Sequence, residues 1–284
     1  MCGIAGFCGN PKNWKENIER MNKRMFHRGP DAGGTWANDN ASVVFGHRRL
    51  SIVDLSSNGA QPMQSASGRY VCVFNGEIYN YRKVKEKLIN DGKVKAFRGN
   101  SDTEVLLEAF EAYGVKETIA MCKGMFAIAL YDKKTGKLTL IRDRIGEKPL
   151  YYGFVNGHFV FASDIGSIAA LEDFNNDIDT KVLQIYFIHG YIPAPYSIYK
   201  DIYKLDAGCM LEIDAPDYKN PKIIPYWSVR EAAKYGQEHP FKGSRQEAAD
   251  ELERLLKESI KGQMVADVPV GAFLSAGIDS STIV

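Results

Sequence analysis

Cys2, in the opening Met1-Cys2-Gly3-Ile4-Ala5-Gly6, is the residue of this chain best placed for covalent chemistry. Its small side chain permits removal of the initiator methionine, which makes Cys2 the N-terminal residue and gives it a base of its own. An α-amine with a pKa of about 7.7–8.0 is partly unprotonated at neutral pH and can take the thiol proton directly or through a water. The thiolate can then attack an amide carbonyl, and the amine can return a proton to the departing ammonia. Taken alone, an unpaired cysteine is more often a small apolar residue of the interior. Gly3 and Gly6 point the other way, because paired glycines mark a backbone that comes close to a strand or a substrate. Asn75-Gly76 reads by itself as a tight turn. In Ser275-Ala276-Gly277-Ile278-Asp279-Ser280-Ser281, small residues at a helix start expose N–H groups suited to phosphate.

The elements that must hold these residues follow from periodicity. Trp14, Ile18, Met21 and Met25 predict an amphipathic helix, followed by a glycine-rich turn in His27–Gly34. Short β-type runs occupy Ser42–Gly46, Leu50–Val53 and Tyr70–Phe74. Helical patterns cover Tyr81–Asn90 and Thr103–Tyr113, the second capped by Ser101 or Asp102 with Glu104 in its first turn. Strand texture then returns in Met125–Tyr131, Leu138–Arg142, Leu150–Phe154 and Phe159–Ala162, joined by turn residues. Strands, helices, then strands again point to a layered α+β domain. Residues 216–243 have little periodicity beyond a strand near Tyr226-Trp227, and read as a linker. Leu252, Leu255, Leu256 and Ile260 build a further helix opened by Ser244 and Glu247, a capping-box spacing. A strand-like Val268–Leu274 and the small-residue loop come next, half of a nucleotide-binding α/β unit.

Bulk properties exclude several classes. With 284 residues, one large domain plus part of another is expected. The 36 basic and 35 acidic residues leave a formal charge of +1, with no footprint for nucleic acid or an anionic membrane. The longest apolar run, Met125–Tyr131, is far shorter than the roughly 20 residues of a membrane span. The N-terminus lacks the basic and apolar regions of a secretory signal. Cys2, Cys8, Cys72, Cys122 and Cys209 are five, without CxxC spacing, which disfavours a disulfide framework or a metal site. The expected compartment is the reducing cytoplasm.

Cys2-Gly3-Ile4-Ala5-Gly6 resembles the start of the class II glutamine amidotransferases, which are N-terminal nucleophile hydrolases. The runs HRGPDAGG (His27–Gly34), HRRLSIVDL (His47–Leu55), GAQPM (Gly59–Met63), FNGEIYNY (Phe74–Tyr81) and SDTEV (Ser101–Val105) are similar in order and spacing to the asparagine synthetase branch. The likeness continues through RDRIGEKPLYYG (Arg142–Gly153) to VPVGAFLSAGIDSS, and so covers essentially the whole chain. Phosphoribosyl-pyrophosphate amidotransferases and glucosamine-phosphate synthases share the CGI start, but the SIVD, QPM and GIDSS runs argue against them.

The resemblance implies a four-layer αββα N-terminal nucleophile hydrolase sandwich in 2–215, a linker in 216–243, and in 244–284 the truncated start of an α/β ATP-pyrophosphatase domain. It implies hydrolysis of glutamine to glutamate and ammonia, for ATP-dependent amidation of aspartate. Catalysis would fall to Cys2 with Asn75 and Gly76, the side-chain amide and backbone N–H that stabilise the oxyanion. Arg49 would grip the α-carboxylate with its planar fork, and Asp102 would accept from the α-ammonium. Glu77 would help hold a substrate nitrogen, and Ile52 and Val53 would add backbone contacts. His27, Arg28 and Asp31 are expected on a loop without a direct catalytic role. Leu274, Ser275, Gly277, Asp279 and Ser280 match the ATP loop, with Ala276 where the pattern has Gly; its methyl is harmless only at negative φ. ATP and Mg2+ serve the full-length synthetase, and aspartate is bound beyond Val284; the glutaminase step needs no cofactor. Oligomeric state is left open, a homodimer included. Two other readings stand: amidation of a different carboxylate, and a silent module in which a retained Met1 blocks the amine.

Overall fold

The computed structural model describes residues 1–9, 11–51, 56–265 and 269–284. Twelve strands among them form two antiparallel sheets. One sheet contains β1 (Gly3–Cys8), β2 (Ala32–Ala37), β3 (Val43–Arg49), β8 (Tyr151–Val155), β9 (His158–Ala162) and β10 (Ile202–Lys204), in the order β10-β8-β9-β1-β3-β2. The other contains β4 (Met63–Gln64), β5 (Tyr70–Ile78), β6 (Gly124–Asp132), β7 (Lys137–Arg142), β11 (Cys209–Ile213) and β12 (Lys222–Pro225), in the order β12-β11-β7-β6-β5-β4.

The side-chain alternation of these strands builds a four-layer αββα sandwich. In β1, Ile4 and Cys8 point between the sheets while Ala5 and Phe7 face outward. In β5 and β6, Val71, Val73, Ala127 and Ala129 point inward, and Cys72, Phe74, Phe126 and Ile128 outward. Both faces are buried, so β6 reads as a continuous apolar run rather than an alternating one. The outer face of the first sheet is covered by α1 (Trp14–Arg24) and the short α5 (Ile165–Ile168), that of the second by α2 (Tyr81–Asn90), α3 (Asp102–Tyr113) and α4 (Val115–Met121).

The helices expected from periodicity form with nearly the expected bounds. His27–Gly34, however, is not all turn: Ala32–Gly34 open β2, which pairs with Arg49, Arg48 and His47 of β3. Leu50 and Ser51 lie outside any strand, and Ile52 and Val53 are outside the described residues. The strand expected near Tyr226-Trp227 sits earlier, at β12, inside the stretch expected as linker; Met210 and Leu211 of β11 pair with its Ile224 and Ile223.

Between β9 and β10 runs α6 (Thr180–His189), and past the last strand come α7 (Val229–Glu238), α8 (Arg245–Gln263) and α9 (Ile278–Ile283). The capping box opening α8 is present, with Ser244 and Glu247 bonded reciprocally. Residues 269–274 form no strand; Phe273 and Leu274 are exposed, and among the described residues no neighbouring strand offers a ladder. No helix among the described residues is long and apolar enough to cross a membrane.

Candidate active site

Three sequence-distant segments meet at one rim of the sandwich because the sheets face each other there. Cys2 enters β1, the strand flanked by β3 and β9. Beside it, β3 ends on Arg49. From the opposing sheet, β5 brings Asn75, Gly76 and Glu77. Cys2, Arg49, Asn75, Gly76, Glu77 and Asp102 all line a single cavity of about 140 Å3, together with Met1, Gln61, Thr103 and Lys148.

Asn75-Gly76 is not a turn. Both residues are mid-strand, opposite Ala127 and Phe126 of β6. Gly76 is required by close approach: a Cβ there would lie 2.1 Å from the Met125 carbonyl oxygen and 2.7 Å from Phe126 Cα. Asn75 is 1% exposed, and its Nδ2 is a buried donor with no partner among the described residues. An orphaned amide costs about 1–3 kcal/mol when nothing receives it, which marks it as a donor held ready for a ligand.

Asp102 is placed by the start of α3. Ser101 is the N-cap, its hydroxyl accepting from Glu104 N at 3.2 Å, so the carboxylate of Asp102 is released from capping. Glu104 in turn accepts from the N–H groups of Arg98 and Gly99 at 2.8 and 2.9 Å, clamping the loop before the helix. Asp102 Oδ2 accepts from Ile78 N at 3.0 Å and so ties α3 to the end of β5. Burial pushes the Asp102 carboxyl up to about 6, against the pull of the Ile78 and Thr103 N–H groups. Burial also raises Glu77, with Lys148 opposing the rise.

The thiol of Cys2 donates to the Leu50 carbonyl at 3.6 Å, and burial holds its pKa above the ordinary thiol value. The N-terminal amine of Met1 is lowered, first by burial and further by the Arg28 and Lys148 cations. That amine is the Met1 one; the amine that acts as base is the one Cys2 gains when Met1 is removed. Arg49 is buried and donates from Nη1 to the Ser56 carbonyl at 3.1 Å. His47, on the neighbouring register position, contacts the Phe74 carbonyl at 3.3 Å and is held neutral by burial, its pKa lowered to about 3.

Three residues were not singled out by sequence for a direct role. Arg28, expected on a loop without one, donates from Nε to the Cys2 carbonyl at 3.1 Å. Gln61 accepts from Phe74 N at 2.6 Å and donates to Thr103 Oγ1 at 3.4 Å, bracing β5 against α3 beneath the cavity. Lys148 reaches the Met1 sulfur at 3.6 Å. The signal for Gln61 and Lys148 lay inside the GAQPM and RDRIGEKPLYYG runs, which carried the resemblance without assigning these side chains.

The phosphate-loop candidates lie elsewhere, exposed at the C-terminal end. Ser275 and Ser280 share a hydroxyl contact of 2.8 Å, and Gly277 N donates to Ser275 Oγ at 3.3 Å. Ala276 is absent from the positive-φ residues, so its methyl adds no strain. Leu274 and Asp279 flank this turn and are exposed.

Comparison with known proteins identifies relatives of the chain. The chain is 37% identical to the putative asparagine synthetase [glutamine-hydrolyzing] 2 of Methanocaldococcus jannaschii, over all of this chain and 56% of that protein. It is 35% identical to asparagine synthetase [glutamine-hydrolyzing] 1 of Bacillus subtilis, over all of this chain and 43% of that protein. The chain thus spans about half the length of the curated relatives it matches. Among solved structures, glutamine phosphoribosylpyrophosphate amidotransferase from B. subtilis shares the fold, with a TM-score of 0.59 at 19% identity over 79% of this chain and 49% of that one. Residues 251–284 match the asparagine synthase family. Residues 1–227, which include both sheets and every wall of the cavity, match the glutamine amidotransferase domain family, and to that family the chain belongs.

Proposed function

We propose that this chain is the glutaminase portion of a glutamine-dependent asparagine synthetase, with Cys2 as nucleophile once Met1 is removed. The observation that carries the reading is the unpartnered, buried Nδ2 of Asn75 in the same cavity as Cys2, Gly76, Arg49 and Asp102. Glutamine presents one carboxylate, one ammonium and one amide, and this lining offers a cation, an anion and a thiol beside two donors. Arg49 takes the α-carboxylate and Asp102 the α-ammonium, which sets the side-chain amide toward Cys2. The amine accepts the thiol proton, sulfur bonds to the amide carbon, and charge develops on an oxygen that Asn75 Nδ2 and Gly76 N–H receive. The amine then protonates the leaving nitrogen, ammonia departs, and water cleaves the thioester to give glutamate. Glu77 holds a substrate nitrogen, and Ile52 and Val53, outside the described residues, are assigned backbone contacts.

The division into a glutaminase domain, a linker within 216–243 and a synthetase segment from 244 belongs to the same proposal. The segment's Ser275, Gly277 and Ser280 suit a triphosphate, with small side chains, hydroxyls and N–H groups at the turn, and Leu274 and Asp279 flank them. ATP with Mg2+ would activate the aspartate carboxylate there for attack by the released ammonia. A cytoplasmic setting and assembly as a homodimer are further parts of this reading.

The test is a glutaminase assay on chain whose intact mass shows loss of Met1. Glutamate and ammonia should form from glutamine, and Cys2→Ala should abolish both. Equal ammonia release by that variant removes Cys2 from the reaction. Chain that retains Met1 should be silent, since Met1 blocks the amine and lines the cavity.

A further inference from the structure

Lys148 lines the cavity but has no part in the amide-splitting steps assigned to Cys2, Asn75 and Gly76. Its backbone is fixed: Lys148 N donates to Asp143 Oδ2 at 3.0 Å, and its carbonyl accepts from Arg142 Nε at 2.8 Å. Asp143 is fully buried and also accepts from Phe126 N at 3.2 Å and Glu147 N at 2.9 Å, so the turn before β8 is clamped to β6. From this turn the side chain is aimed into the cavity, and the residue is only 7% exposed. Among the described residues its ammonium makes no ion pair within 4 Å; its hydrogen-bond contact is the Met1 sulfur, a weak acceptor, and the carboxylate that feels its charge across the cavity is Glu77. A buried ammonium whose only facing carboxylate is not in contact is costly, and a rigid turn that holds it against the N-terminus places its charge there.

We propose that Lys148 is a positioning residue that keeps the α-amine of Cys2 unprotonated at neutral pH after Met1 is removed. The inference rests on the glutaminase reading for its purpose, but the electrostatic claim is separable from it. The charged groups facing the amine come from every wall. Arg28 and Asp31 follow α1, Arg49 ends β3, Glu77 lies on β5, Asp102 opens α3, and the Cys2 thiol is adjacent. Arg28, whose Nε donates to the Cys2 carbonyl at 3.1 Å, sets a cation of the same sign beside Lys148, while Asp31, its Oδ2 held by Ser51 N at 2.8 Å, and the Cys2 thiol oppose them; the Lys148 ammonium is the one clamped from the opposite wall. Its field opposes a second positive charge beside it, which favours the neutral amine as base. The same field makes the ammonium formed during attack a stronger acid toward the leaving nitrogen.

The experiment titrates the amine itself. In Met1-processed full chain carrying Cys2→Ala, which keeps an N-terminal amine and removes the competing thiol, acetic anhydride labelling of that amine is followed against pH by peptide mass spectrometry. Adding Lys148→Met keeps length and removes charge; it should move the labelling midpoint up by about 0.5 to 1 pH unit, the scale of one charge several ångströms away in a partly wet site. Lys148→Arg should return it. In the Cys2 enzyme, the acid limb of kcat at saturating glutamine should move the same way. An unmoved midpoint in folded Lys148→Met protein overturns the proposal, and a rise in KM alone would make Lys148 a substrate contact instead. A midpoint that moves in a chain lacking glutaminase activity keeps the electrostatic role and defeats the functional reading.

Discussion

A side-chain amide buried with nothing to bond is tolerated only where something compensates, and Asn75 is such a residue. Asn75→Ala should lower kcat by about 10²–10³ with little change in KM, because the donor acts on charge that appears only in the transition state. Steady-state kinetics decide it; a change confined to KM would assign Asn75 to ground-state binding. Asp102 gives a pH signature of its own. With its carboxyl at about 6 in the empty site, binding of the substrate ammonium below that pH must expel a proton. KM for glutamine should therefore climb as pH falls below about 6, by up to tenfold per pH unit, and Asp102→Asn should have a high KM that no longer varies there. The sign for stability is opposite to that of a salt-bridged aspartate. Raised from 3.8, this group favours the fold below about 4, and that share is lost as pH rises through about 6. Thermal unfolding across that window should lose this slope in Asp102→Asn. Cys2, Arg49, Asn75, Gly76, Glu77 and Asp102 were legible because their motifs name them. Arg28, Gln61 and Lys148 were not, because what each touches is set by which strands and turns face one another.

At the scale of elements, the site depends on how closely β5 and β6 lie at Gly76. A Cβ at that position meets the Met125 carbonyl and Phe126 Cα, both backbone atoms of a buried strand that cannot rotate away. Gly76→Ala should cost about 1–3 kcal/mol or more in denaturant unfolding and displace the oxyanion donors, so activity should fall further than stability explains. Activity retained in a stably folded Gly76→Ala chain would show that Gly76 N–H is dispensable. Sequence reading succeeded for elements whose pattern is local. The period of α1, the bounds of α2 and the capping box of α8 are written in neighbouring residues. It failed where pairing decides. Ala32-Gly33-Gly34 looks like turn but is a strand because β3 supplies its ladder, whereas Val270 to Leu274 look like strand but form none where no ladder is offered.

For the whole molecule, the question is how far the sandwich depends on the chain beyond it. The first 227 residues contain all twelve strands found among the described residues, and β12 ends with Tyr226 N and Trp227 N donating to the Gly208 carbonyl at 2.8 and 3.2 Å. After that point attachments thin out. Lys123 pairs with Glu258 at 3.3 Å on the surface, Val265 packs at the edge of the helical layer, and Gly262 lies beside Tyr79. An exposed ion pair contributes about 0.2–1 kcal/mol, while Phe273 and Ile278 stand in solvent and contribute no burial. Deleting 244–284 should then lower Tm by no more than about 4 °C, since about 1 kcal/mol moves a domain of this size by roughly 2–4 °C. Glutaminase activity of the Met1-processed chain should survive the deletion, because every residue lining the cavity precedes Pro149. A drop well beyond that, or loss of activity in a chain that still melts cooperatively, would show that α8 supports the site through the α2–α4 layer and that the glutaminase does not end near Trp227.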